Sequence, residues 1–362
     1  MTQTTILANT SIRSMNTQIL GQTRTLSIMP TYTCSAACKD CGTLSSPQNK
    51  ENISIDIIIA ALNEARKLNF GNVVFTGGEA TLRFKDLLIA IRHADSLSLF
   101  PRLVTNAHWA SNSKKAFHVL EALVDAGLKE INFSTGDEHV RFVPIDNVAL
   151  AVVTSVQKNL PIAVMIESKE NRTITSDIFL NHNLIKELPK NIQERIKIIE
   201  SPWMPMNPFV AENYEDGKTT NAQNLADRVG CESVLQTYTL QANGSIGACC
   251  GLGMRIIPEL NVGNSNGEHF VGKAINKAEA DFLKIWIHYK GPEKILAWAS
   301  EKDSSIMWEN MYSHKCQACL RLYKDPKVRK VIKQNYQEMM SEVILTAYFD
   351  EIYIPNQFEK NL

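Results

Sequence analysis

From residue 24 to about residue 200 the chain alternates short apolar runs with longer segments whose apolar positions recur every three to four residues. The first pattern is that of buried strands, the second that of helices with one face in a core. Strands are predicted at 24–33, 72–76, 102–105, 130–134, 161–167 and 196–200, with helices between them at 54–68, 84–98, 113–126, 145–159 and 176–188. Strands joined in this way by helices run parallel, and the sheet they form is either doubly wound or curved into a partial barrel. In both architectures the chemistry gathers at the carboxyl ends of the strands.

The alternation stops at the proline-rich passage 201–208 (SPWMPMNP) and the polar stretch 212–224, which together read as a connector. The region beyond the connector is less regular. Strand-like runs at 238–241 and 246–249 flank Asn243-Gly244, a good hairpin turn, and a tryptophan-containing helix is expected at 278–299. A basic-then-acidic helix is expected at 326–340. The expected organisation is an N-terminal arm at 1–25, an α/β unit at 26–200, a linker at 201–225, a second unit at 226–325 and a C-terminal helix and tail at 326–362. The arm is rich in Ser and Thr and has no acid, but it carries only Arg13 and Arg24 and lacks a secretory apolar core, so it reads as a floppy segment rather than a targeting signal.

Charge narrows the function classes. Of 362 residues, 38 are Lys or Arg and 38 are Asp or Glu, so no overall basic field attracts nucleic acid or an anionic membrane. No apolar run approaches a membrane span, and the expected setting is cytoplasmic.

In a reducing compartment the eight cysteines are metal ligands or reactive thiols rather than disulfide partners. Cys34, Cys38 and Cys41 follow the first expected strand with spacing Cys-x3-Cys-x2-Cys. Three thiolates on one loop can hold three irons of a [4Fe-4S] cubane and leave the fourth without a protein ligand. A zinc knuckle short of its fourth ligand, or three unrelated thiols, are the plainer alternatives.

With this loop the chain resembles the radical S-adenosylmethionine (SAM) enzymes, and the resemblance extends over about residues 26–200. It implies a (β/α)6 partial TIM barrel with a SAM-binding cluster on Cys34, Cys38 and Cys41. Gly77, Gly78 and Glu79, after the second strand, match the family's Gly-Gly-Glu segment, which cradles the methionine amino group. Thr105-Asn106-Ala107 resembles a Thr-Asn-Gly segment, which puts Asn106 near the cofactor. Ser134 is expected at the ribose, with Asp137, Glu138 and His139 at ribose or substrate. Arg172 is expected near the SAM carboxylate, beside Glu167.

The remaining cysteines resemble the auxiliary-cluster extension called SPASM, or its shortened single-cluster form, twitch. Cys231 is followed after twelve residues by Gly244, after four more by Cys249, and later by Cys316-x2-Cys319 on an expected loop. Four thiols close one auxiliary [4Fe-4S] cluster, with structural zinc as the alternative. No cysteine follows Cys319, so a second auxiliary cluster is not expected. Cys250 is left over, either as a packed thiol beside the cluster or, in a catalytic role, as a hydrogen-atom donor to a substrate radical.

The resemblance implies reductive cleavage of SAM to a 5′-deoxyadenosyl radical that takes hydrogen from a substrate carbon, with a flavodoxin- or ferredoxin-like protein as reductant. The favoured substrate is a ribosomally made peptide, modified by crosslink, epimerisation or oxidation. A small alcohol or sugar-derived substrate undergoing dehydrogenation is the second enzymatic reading, and a metal-stabilised binding protein the non-enzymatic one.

Overall fold

A computed structural model describes residues 24–211 and 213–349. The expected arm up to residue 23 and the tail from residue 350 lie outside the described residues.

β1 (Thr25–Ile28), β2 (Asn72–Phe75), β3 (Phe100–Thr105), β4 (Glu130–Thr135), β5 (Ile162–Ser168) and β6 (Lys197–Pro202) lie side by side in chain order, each parallel to the next. Four helices of thirteen residues each cross between them: α1 (Ile55–Lys67), α2 (Phe84–Ser96), α3 (Ser113–Asp125) and α4 (Ile145–Gln157). α1 buries Ile58, Ala61, Leu62 and Ala65, one stripe at helical spacing. Against these faces stand Leu26, Ile28, Phe75, Leu103 and Phe133 of the strands, all fully buried. The Ser54 side chain caps α1 at the Ile57 N–H and Asn112 caps α3 at the Lys115 N–H, each contributing about 1 kcal/mol. The alternation left a doubly wound sheet and a partial barrel open; strands in strictly sequential order with no switch point, joined by crossover helices, match the partial barrel that the resemblance implied.

Three expected helices are broken. Residues 176–193 form three short pieces, α5 (Ser176–Leu180), α6 (Asn183–Lys186) and α7 (Lys190–Gln193). Thr175 and His182 each accept a hydrogen bond from a new first turn, and Pro189 starts the last piece. The expected helix at 278–299 is instead α9 (Phe282–Lys290) and α10 (Pro292–Lys302), preceded by α8 (Phe270–Glu279). Asp281 caps α9, and Gly291 at φ 86° followed by Pro292 ends one helix and starts the next. The C-terminal helix likewise divides into α12 (Pro326–Asn335) and α13 (Gln337–Tyr348), after α11 (Lys315–Lys324).

The sheet continues past the connector. β7 (Thr237–Leu240) pairs parallel to β1 on the side away from β2, and β8 (Ser245–Gly247) and β9 (Asn261–Asn264) add antiparallel strands beyond it. β7 and β8 form the expected hairpin, with Gly244 at φ 81° in its turn. β9, with sequence NVGN, carries almost no apolar signal and has no counterpart among the expected strands. Among the described residues no helix is long and apolar enough to cross a membrane.

Candidate functional site

The chain leaves β1 at its carboxyl end and turns back on itself before reaching the first cysteine. The Thr33 N–H donates to the Thr31 hydroxyl at 2.9 Å, and the Thr33 hydroxyl donates to the Asn49 carbonyl at 2.7 Å. The loop after β2 packs directly onto this turn. The Gly78 N–H meets the Thr31 carbonyl and the Glu79 N–H meets the Thr33 carbonyl, both at 2.9 Å. A β-carbon on Gly78 would stand 2.2 Å from the Thr33 oxygen, and one on Gly77, at φ 115°, 2.7 Å from the Thr31 oxygen. Both glycines are therefore required for backbone to approach backbone.

Glu79 has a structural use that the sequence did not reveal. Its carboxylate, 1% exposed, accepts from the N–H and hydroxyl of Thr81, the Thr105 hydroxyl and the Asn106 N–H at 2.5–3.1 Å. It thereby fixes the loop after β3. From that loop the Asn106 amide donates to Ser35 Oγ at 3.0 Å and to Cys34 Sγ at 3.6 Å.

Cys34, Cys38 and Cys41 are half-buried; Cys34 is met by the loop after β3, Cys38 by the loop after β4, and Cys41 by Thr43 of its own loop. The Cys38 thiol donates to the Glu138 carbonyl at 3.8 Å, and the Thr43 hydroxyl lies 3.3 Å from Cys41 Sγ. Burial pushes Cys34 up to about 11 and, with repulsion from the Cys41 sulfur, Cys38 up to about 12. A metal bound here must displace those protons.

The loops after β4 and β5 are locked together beside Cys38. The Asp137 carboxylate accepts from the main-chain N–H groups of Thr173 at 3.0 Å and Ile174 at 2.8 Å. Burial raises its pKa, but these bonds outweigh that and hold it below the usual range. Glu167, also buried, takes the His139 Nδ1 at 3.0 Å and the Glu138 N–H. Glu138 receives Arg141 at 2.7 Å and Lys169 at 3.7 Å. Ser134 is half-buried, one residue before the end of β4. Arg172 pairs with Glu200 at 2.9 Å and Glu215 at 3.2 Å, so its charge is already engaged by two carboxylates.

The second group of thiols is assembled from three distant segments. Cys231 precedes β7, Cys249 follows β8, and Cys316 and Cys319 lie at the start of α11, in its first and second turns, not on the loop expected from sequence. His314 and Gln317 form a reciprocal cap there, with the Cys316 N–H on His314 Nδ1 at 3.1 Å. Spacing i, i+3 puts both thiols on one face at the positive end of the helix. All four line one small pocket with Gly251, Gly253, Leu260 and Lys315. A β-carbon on Gly251 would enter it, 2.9 Å from Cys316 Sγ and 4.0 Å from Cys249 Sγ. Burial pushes Cys316 up to about 12 and raises Cys231, Cys249 and Cys319 as well. Cys250 is exposed, with its sulfur 3.3 Å from the Ser233 hydroxyl. Among the described residues no three His, Cys, Asp or Glu side chains are grouped as tightly as a single metal ion requires.

No profile of a known protein family matches the chain. PqqA peptide cyclase from Rhodopseudomonas palustris is 33% identical to it over 105 residues, which are 29% of this chain and 26% of that protein. The match thus spans about a quarter of the length of this curated relative. Among solved structures, native anSMEcpe with bound AdoMet and Cp18Cys peptide has a TM-score of 0.50 at 13% identity, covering 89% of this chain and 99% of that one. BtrN in complex with AdoMet and 2-DOIA has a TM-score of 0.44 at 11% identity, covering 75% and 89%. Cysteine loop, sequence match and strand order agree, and the resemblance of this chain is to the radical S-adenosylmethionine superfamily.

Proposed function

We propose that the chain is a radical SAM enzyme that modifies a peptide. The observation that carries the reading is the seating of three thiols on one loop at the carboxyl end of β1, with Asn106 from the β3 loop on Cys34 and Glu138 from the β4 loop on Cys38. The donor set fits a cubane with one open iron: three sulfurs on one loop, and a rim of polar groups from neighbouring strands to receive a ligand. When bound, that cluster supplies the electron that cleaves the SAM sulfonium. The protein holds the ligand and the target C–H in reach of each other and keeps water out.

In this reading Asn106 and Ser134 lie at the strand ends that face the ligand. Gly77, Gly78 and Glu79 offer it their segment, while the Glu79 carboxylate keeps the Asn106 loop in place. Asp137 and Arg172 act by holding the rim loops rather than by reaching the ligand with a free charge. The second thiol group holds an auxiliary [4Fe-4S] cluster. The four sulfurs line one pocket, and an all-thiol donor set of four closes such a cluster, with structural zinc as the competing occupant. A peptide is the proposed substrate because the curated relative is by name a peptide cyclase. A flavodoxin- or ferredoxin-like protein is the proposed donor, in the cytoplasm.

Anaerobic reconstitution with iron and sulfide, followed by dithionite and SAM, tests the reading. Formation of 5′-deoxyadenosine is expected, and its absence from a chain with full iron content would sink the proposal. With a peptide present, loss of two hydrogens indicates crosslink or oxidation. Unchanged mass with deuterium uptake indicates epimerisation.

A further inference from the structure

The segment from Cys249 to Arg255 has two working faces. One belongs to the second thiol group: Gly251 and Gly253 line its pocket, and the Leu252 main chain hydrogen-bonds Cys316. The other rests on the first cysteine loop. Leu252 Cδ1 lies 3.2 Å from where a β-carbon on Gly42 would stand. The Arg255 guanidinium stacks over the Tyr32 ring at 3.5 Å from its centre and donates to the carbonyls of Thr43 and Leu44, the latter at 3.2 Å. Tyr32 in turn reaches the β7–β8 hairpin, its hydroxyl 3.1 Å from Gln241 Oε1 and 3.3 Å from Asn243 Oδ1.

The carbonyls that Arg255 takes belong to a turn with its own cost. Leu44 stands at φ 50°, in the left-handed region that a branched side chain rarely adopts. Its N–H closes the turn on the Cys41 carbonyl at 2.9 Å. Thr43, between them, contacts Cys41 Sγ at 3.3 Å and donates to the Gly77 carbonyl at 3.2 Å. A charged donor on two adjacent carbonyls, stacked on an aromatic face, is a strong restraint for such a turn.

We propose that Arg255 is a positioning residue that places Cys41 in the first thiol group from within the second. The seven-residue segment from Cys249 to Arg255 makes the two groups mechanically one unit. This rests on the reading of both groups as ligand sets. It does not depend on SAM cleavage.

The test uses the anaerobically reconstituted full chain, challenged with an iron chelator in the presence of iodoacetamide, with labelling of each cysteine read by peptide mass spectrometry. In Arg255→Ala the labelling rate at Cys41 is expected to rise about tenfold, as loss of a charge-assisted restraint implies. Cys231, Cys249, Cys316 and Cys319 should keep their native rates. Arg255→Lys, which can still donate but lacks the planar stack, should fall between. Leu252→Ala, which keeps the guanidinium, should give a smaller rise. An unchanged Cys41 rate in Arg255→Ala overturns the proposal, and so does an equal acceleration at every cysteine, the mark of general loosening. Because labelling is read without SAM or substrate, this result and the 5′-deoxyadenosine assay can fail independently.

Discussion

The two thiol groups solve the same chemical task by opposite means. Cys34, Cys38 and Cys41 occupy eight consecutive positions, and the fold's work is to press three other loops against that one segment. Cys231, Cys249, Cys316 and Cys319 span almost ninety residues, and the fold's work is to bring them together at all. The first group is set by local spacing and stays half-open at the mouth of the barrel. The second is set by topology, with Cys231 and Cys249 buried and Cys316 and Cys319 half-buried. An open set of ligands suits a reactive centre, whereas a closed set suits one that only holds or passes charge.

The sharpest way to break the comparison is to remove one thiol from each group. Cys34→Ala should abolish 5′-deoxyadenosine formation. Cys316→Ala should lower iron per chain by roughly half while leaving some cleavage uncoupled from product. Iron and sulfide analysis with a single-turnover SAM assay reads both, and equal effects of the two variants would erase the distinction.

Next come the glycines that let each site close. Gly78→Ala forces a β-carbon to 2.2 Å from the Thr33 carbonyl oxygen, main chain held in the hydrogen-bonded turn after β1, so a loss of about 3 kcal/mol is expected in urea unfolding. Gly251→Ala meets only the Cys316 sulfur at 2.9 Å and should cost about 1 kcal/mol while displacing that ligand. A larger loss for Gly251→Ala would reverse the assignment of rigid and adjustable site.

Alkali acts on both groups of the metal-free chain. Burial holds Cys34 near 11 and Cys38 and Cys316 near 12, against an ordinary 9.0. The unfolded chain ionises these thiols near 9.0 while the folded chain keeps them protonated. Their contribution to stability is therefore intact below pH 9 and falls as pH rises from there toward 12. Urea midpoints at pH 8, 9 and 10 in a chelator check this, and the iron-loaded chain, whose thiols have already given up their protons, should decline less.

The smallest stability effect is expected at Cys250. As an exposed thiol outside the ring of four, its replacement by Ala should change stability by less than about 0.5 kcal/mol. If it is the hydrogen-atom donor, Cys250→Ala still forms 5′-deoxyadenosine but loses deuterium uptake from solvent into the product, and retained uptake removes that role.

Much of the barrel was legible because each of its strands and first four helices has its own apolar period, and Ser54 and Asn112 mark helix starts in plain sequence. The first thiol loop was legible for the same reason: its geometry is local. What the sequence hid depends on contacts between distant segments. Glu79 looked like a ligand-facing acid because nothing in the sequence shows Thr81, Thr105 and Asn106 converging on it. Arg172 looked free because Glu200 and Glu215 lie 28 and 43 positions away. The breaks in the expected helix at 278–299 were readable in principle, from Asp281 as a cap and from Gly291-Pro292 as a stop and start.

β1 is only four residues long, yet β2 flanks it on one side and β7 on the other. A truncation that ends the chain after β6 would strip one flank and leave a row of bare amide and carbonyl groups in the middle of what had been an unbroken surface, inviting self-association. The carrier of the first cysteine loop is thus chaperoned by residues more than two hundred positions downstream, and a shortened barrel should aggregate before it can be assayed.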